Sequence, residues 1–273
     1  MAQSIHSGLV QATQVAREAI VRRAANGISF AVFGDTGLDD AGLLRMVQAV
    51  PSCVAAALGR RTYYFVPLAL AEGRSSGSAG HRSGNEETMI SPVYSAELAD
   101  LAICHRNVEL GAGADGATVA GEEPREGVFL SARLLIDRFS LAFELFINVG
   151  HAFVDEAGVP ESFSELAWNQ AVADVRGETS LDAWESRAQA LGGGQNAGRI
   201  DEKAKTDYLE AAFSDAIAIY LLSLAVDFDY SELREREYPL LAPQALADRL
   251  RLVARLFPPN PEYEFAIRYR RRA

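Results

Sequence analysis

Basic side chains, cysteines and long apolar runs are scarce in this 273-residue chain, and each scarcity excludes a class of function. The formal charge is −11, which argues against a general nucleic-acid binder. Lysine occurs only at Lys203 and Lys205, and the scattered arginines read as a high-GC, bacterial-type coding bias rather than a recognition device. The one dense basic cluster, Arg268 to Arg272, reads as a solvated tail. Cys53 and Cys104 are the only cysteines and form no C-x-x-C spacing, so no zinc knuckle or redox motif is written here. Two buried free thiols in a reducing cytoplasm are expected, and a disulfide between them stays open. The longest apolar run, Ile217 to Val226, is too short to span a bilayer. The N-terminal residues lack the basic-then-apolar order of a signal peptide. A cytoplasmic protein, or one exported without a cleavable signal, is expected, with no membrane and no nucleic-acid partner. No G-x-G-x-x-G, P-loop or internal repeat is present. Gly77 to Gly80 is no nucleophile elbow, because no strand-to-helix turn surrounds it.

What is present is an α+β pattern, with strands early and helices late. Leu9, Val10, Ala12, Val15, Ala16, Ala19, Ile20 and Ala24 recur at helical spacing, predicting an amphipathic helix over 8–25 that Asn26-Gly27 ends. Residues 28–33 and 61–70 read as buried strands. Asp39 is placed to cap a helix through Leu43 and Val47, and Pro51 to start a short one over 52–58. Further strands are expected at 89–93 and 101–110, and a strand or helix start at 128–130. Helices are expected at 131–156, 162–172, 181–191, 205–227 and 243–257. Gly- and Ser-rich composition marks flexible loops at 73–87, 111–127 and 192–198. The whole reads as a single domain over 1–273, an α/β part to about 130 and a helical part from about 131 to 260.

The helix predicted over 131–156 carries a polar stripe. Asp137, Glu144, Asn148, His151 and Asp155 recur at intervals of seven, four, three and four, with Ser140 on the same side. The opposite side carries Leu135, Phe139, Phe143, Phe146, Val149 and Phe153. Such a stripe is either the wet face of an amphipathic helix or the lining of a cleft, and both readings stay open. Gly150, just before His151, points to close approach of another backbone, because glycine costs a helix stability. His151 alone is more often a hydrogen-bonded structural histidine than a ligand. With Asp155 or Glu144 it makes a weak divalent-ion site rather than a three-ligand zinc site. Cys104 and His105 are adjacent, so their side chains diverge on a strand. A Cys104 nucleophile with His151 as base has only composition behind it.

Three segments in order carry a family resemblance. INVGHAFVDE (147–156) is similar to the pattern HE-x-GHA-x-D. YLEAAFSDAIAIYLL (208–222) resembles a downstream helix in which F-A-E-A-F supplies a metal ligand. YPLLAPQALADRLRLVARLF (238–257) resembles a closing Pro-containing segment and last helix. LLRMVQAVPSCVAAALGRRTYYFV (43–66) looks like the usual entry. The family is the anthrax-lethal-factor-like zincins, zinc metallopeptidases, and the resemblance covers about residues 40 to 260. It implies a zincin-like α+β fold: a small mixed sheet in the N-terminal half packed on long helices, and a helical C-terminal half. It also implies a degenerate metal site. Ile147 stands for the first histidine, Asn148 for the general base, and Asp215 for the third ligand, shortened by a methylene. His151 is retained.

An imidazole with one short carboxylate, and no base for metal-bound water, does not support peptide hydrolysis by the family mechanism. No cofactor is expected, with His151, Asp215 and Asp155 as residual candidates for zinc or another divalent metal. The leading expectation is a pseudoenzyme that binds a protein or peptide partner in the former substrate cleft. The alternative is a non-peptidase enzyme that acts on a small molecule through Glu144, Asn148, His151, Asp155 and Asp215. A third is an adaptor whose Gly-rich loops order on binding.

Overall fold

The computed structural model describes residues 8–70, 88–111, 125–192, 200–233 and 237–267. The chain divides into two compact units. The first comprises Met1–Val47 and Gly59–Glu144, the second Gln48–Leu58 and Leu145–Ala273. Strands fill the first and helices dominate the second, an α+β arrangement.

In the first unit the predicted strand at 61–70 breaks at Pro67. Proline cannot donate to a ladder, so the chain changes sheet there. β4 (Arg61–Val66) lies in a five-stranded sheet and β5 (Leu68–Leu70) in a four-stranded one, so the expected small mixed sheet is two sheets. The larger sheet has the order β2 (Arg22–Arg23), β3 (Ser29–Val32), β4, β9 (Arg125–Ser131), β8 (His105–Leu110). β3, β4 and β9 are parallel, and the outer strands β2 and β8 run antiparallel to their neighbours. The smaller sheet has the order β1 (Val10–Gln11), β6 (Met89–Ser91), β5, β7 (Ala102–Ile103). Buried Ser131 ties the two sheets together: its Oγ donates to Ile103 O at 2.5 Å and accepts from Ala69 N at 2.8 Å. Tyr64 stacks on Phe129 at 4.7 Å within a core that includes Val15, Ala31, Val66 and Ile90.

Three expectations need correction here. The helix over 8–25 is only α1 (Ala12–Glu18). The chain then turns extended, and Asn26-Gly27 forms the β2–β3 hairpin turn, with Gly27 at φ +99°. The apolar pattern was right about burial, since Ala12 and Val15 are buried, but Ile20 is 84% exposed. The loop over 111–127 ends early, because Arg125 to Gly127 pair in β9; 112–124 lie outside the described residues. The helix expected from 131 begins at Arg138, as α5 (Arg138–Ala157). Asp137 caps it instead of joining its stripe, accepting from Ser140 N and Oγ at 2.8 Å each. These bonds, led by the backbone one, hold its carboxyl below the usual aspartate range. The expected loop 73–87 lies outside the described residues; of 192–198 only Gly192 is inside, at φ +81° after a helix end. Asp39 caps α2 (Asp40–Gln48) through Gly42 N at 2.7 Å, as its position predicts.

The second unit holds α3 (Ser52–Ala57), the later turns of α5, α6 (Glu161–Val172), α7 (Leu181–Ala190), α8 (Glu202–Ala225) and α9 (Pro243–Leu256). Asp201 opens α8 by accepting from Lys203 N and Ala204 N. By composition α8 is long and apolar enough to cross a membrane, but its apolar stretch is mostly buried within the unit, as in a core helix. Phe153, Phe163, Phe213 and Phe257 form an aromatic cluster among α5, α6, α8 and the end of α9. Asn260 clamps the start of α3, accepting from Ser52 N and donating to Gln48 O and Val50 O.

Candidate functional site

Gly150 sets the geometry. A Cβ built there would lie 2.6 Å from the carbonyl oxygen of Ser214, so only glycine lets α5 come this close to α8. The residues that follow these two in sequence are His151 and Asp215. The pair shares one environment, since the His151 charge acts on the Asp215 carboxyl. His151 is exposed and Asp215 partly buried. Thr179 Oγ1 donates to Asp215 Oδ2 at 2.7 Å, and the Ser180 hydroxyl also bonds that carboxyl. Burial pushes the Asp215 carboxyl up to about 6; the two hydroxyls, His151 and Arg249 pull it down less strongly. Ser180 also caps α7, which fixes its place.

A second polar group in the same unit holds Thr179 in position. Gly177 has φ +81°, and a Cβ there would meet Leu240 O at 2.1 Å. This close approach lets Glu178 N bond Pro239 O and Leu241 N bond Glu178 O. The Glu178 side chain is fully buried and meets Arg249 Nη1 at 3.0 Å, Arg187 Nη1 at 3.3 Å and the Tyr208 hydroxyl at 2.9 Å. Arg249 is itself fully buried and also donates to Gln170 Oε1 and the Tyr208 oxygen. Burial lowers the affinity of Arg249 for its proton, and Glu178 with Tyr208 more than offsets that. The Tyr238 hydroxyl donates to Thr179 O at 3.1 Å. The Tyr230 hydroxyl is buried and has no hydrogen-bond partner among the described residues; burial raises its pKa, and Asp215 is one of the charges that act on it.

Sequence reasoning named His151 and Asp215 and did not name Glu178, Arg249, Tyr208, Thr179 or Tyr230, which the structure gathers in the same unit. One signal was available. Arg249 falls on the apolar stripe of α9, between Leu246, Leu250 and Val253, where a charge requires a buried partner. Nothing in the local pattern announces Glu178.

The other members of the predicted polar cluster lie differently. Glu144 falls in the first unit and its Oε1 is 2.5 Å from His105 Nδ1. Asn148 is buried one turn before His151. Asp155 is exposed one turn after it. Ile147 is partly buried and offers no lone pair. Cys53 and Cys104 are free thiols, and both are exposed rather than buried as expected. Burial, and then Glu144, raises the Cys104 thiol, the opposite of what activates a nucleophile.

The donor set does not fit catalytic zinc. The candidates are one imidazole and one carboxylate, and that carboxylate already accepts from two hydroxyls. Among the described residues no group of three His, Cys, Asp or Glu side chains comes together. What the arrangement offers is proton exchange at Asp215 near neutral pH, beside an imidazole and an unpartnered phenol.

No family model matches the chain, and neither a curated protein nor a solved structure does.

Proposed function

We propose that this protein is a zincin-like pseudoenzyme that binds an extended segment of a protein partner along the open edge of β8. Peptide cleavage through metal-bound water is no part of this activity. The observation that carries the reading is the pairing of β8. Among the described residues it bonds β9 on one side and ends the five-stranded sheet. Ser131 N donates to Cys104 O, so the backbone groups of Cys104 face β9. Antiparallel alternation then turns the N–H and C=O of His105, Asn107 and Glu109 to the outer edge. That is the template for β-strand addition, in which main-chain bonds supply affinity and side chains supply selectivity. The Glu144 carboxylate beside His105 fixes the imidazole at one end of this edge.

The test is Asn107→Pro. It removes one outward donor and leaves the β9 ladder intact. Partner peptides selected on the wild-type chain should lose at least tenfold in affinity, with the circular dichroism spectrum unchanged. Unaltered binding would overturn the reading.

A second reading is an enzyme acting on a small molecule, with Asp215 exchanging a proton and His151 orienting the substrate. The raised Asp215 carboxyl and the unpartnered Tyr230 hydroxyl favour it. On this reading His151→Ala and Asp215→Ala abolish in vivo function without unfolding the chain. Full function in both variants would dismiss it.

A further inference from the structure

The first unit holds a cavity of about 480 Å³, a volume typical of small-molecule sites. Its walls come from the segments that leave the carboxyl ends of β3 and β9, the two parallel strands flanking β4. In open α/β sheets ligands bind in the crevice outside the carboxyl ends of the parallel strands. Leu38, Leu43, Met46, Leu135 and Leu141 make the interior largely apolar. Tyr94 and Ile136 also line it, and they are 50% and 90% exposed. Two large apolar side chains left in water beside an apolar cavity are what a ligand would cover.

The polar features narrow the ligand. Asp39 and Asp137 accept from N–H groups at the start of their own helices, so neither carboxylate is a free recognition group. Arg133 donates through Nε to Asp35 O at 3.0 Å and through Nη2 to Asp35 Oδ2 at 2.8 Å. These bonds hold the guanidinium still. Its Nη1 makes no hydrogen bond among the described residues and lies against Gly37, where a Cβ would come within 2.9 Å of it. Gly37, at φ +69°, thus leaves room for the guanidinium over the cavity wall.

We infer that this cavity binds a small amphipathic carboxylic acid, with its carboxylate on Arg133 Nη1 and its apolar body among the leucines and Met46. The site is independent of the β8 edge. The probes are octanoate and 1-octanol, which share a chain and differ in the head group, titrated into the full-length protein carrying ¹³C-methyl methionine. Octanoate should saturate, shift the Met46 methyl signal and leave Met89 unmoved. It should bind about tenfold more tightly than octanol, the worth of one charge-assisted hydrogen bond. Arg133→Met should abolish that preference while octanol still binds. Leu38→Trp, which fills the cavity from a partly buried wall position, should abolish both; circular dichroism verifies that it folds. An unmoved Met46 signal, or an octanoate preference that survives Arg133→Met, would overturn the inference.

Discussion

Glu178 and Asp215 are two carboxylates of one helical unit, and they live under opposite conditions. Glu178 is fully buried, but two guanidiniums and a phenol surround it. Asp215 is only partly buried, yet it meets two neutral hydroxyls and an exposed imidazole. Burial alone therefore does not decide what a buried acid does. Glu178 is balanced by full positive charge and serves to lock the 176–179 segment against 239–242. Asp215 lacks such a partner in contact, its carboxyl rises to about 6, and it remains able to exchange a proton. One is a fastening and the other keeps a proton within reach of neutral pH.

The contrast can be broken at several points. Glu178→Ala should have the largest effect. It strands two buried arginines and should cost about 3–5 kcal/mol, read as a lower urea midpoint. Gly150→Ala comes next. Alanine favours a helix, yet here its methyl would sit on the Ser214 carbonyl, so a loss of about 3 kcal/mol is expected, at the upper end of overpacking. That variant should also move His151 away from Asp215, which removes one of the charges that pull the carboxyl down and so raises it further.

Asp215→Asn sharpens the comparison through pH. The folded carboxyl titrates near 6, above its unfolded value near 4. Its contribution to stability is therefore complete below about pH 4 and is lost as pH rises through about 6. The asparagine variant should match the wild type at pH 4 and exceed it at pH 8 by on the order of 2 kcal/mol. Urea unfolding across that range reads the difference. The smallest effects separate two tyrosines. Tyr208→Phe removes a hydroxyl bonded to Glu178, Arg249 and Ala167 O and should cost about 1–2 kcal/mol. Tyr230→Phe removes a hydroxyl with no partner among the described residues and should be neutral or stabilising by up to about 1 kcal/mol, checked by thermal unfolding.

Much of the second unit was legible in the sequence because its helices are long and strongly periodic. The helices expected at 162–172, 181–191, 205–227 and 243–257 all form, within three residues at each end. The backbone approach signalled by Gly150 is also present. The N-terminal residues misled because a run of small and aliphatic side chains fits one face of a helix as well as a short helix followed by a hairpin. What decides between them is the place of the hairpin in the sheet, where Phe30 pairs with Tyr63, and that contact is not local. The polar stripe does not act as one row: Asp137 is a cap and Glu144 binds His105, while the His151 charge acts on the α8 acid. Glu178 escaped notice because its partners lie up to 71 residues away in sequence, and no periodicity encodes such a distance.

Zinc content and cleavage, measured together on the purified chain, test the pseudoenzyme reading most directly. Dialysis against zinc followed by gel filtration should leave well under one equivalent bound, and no chelator-sensitive cleavage of a denatured protein substrate should appear. One zinc per chain, with cleavage abolished by chelation and by His151→Ala, would contradict it.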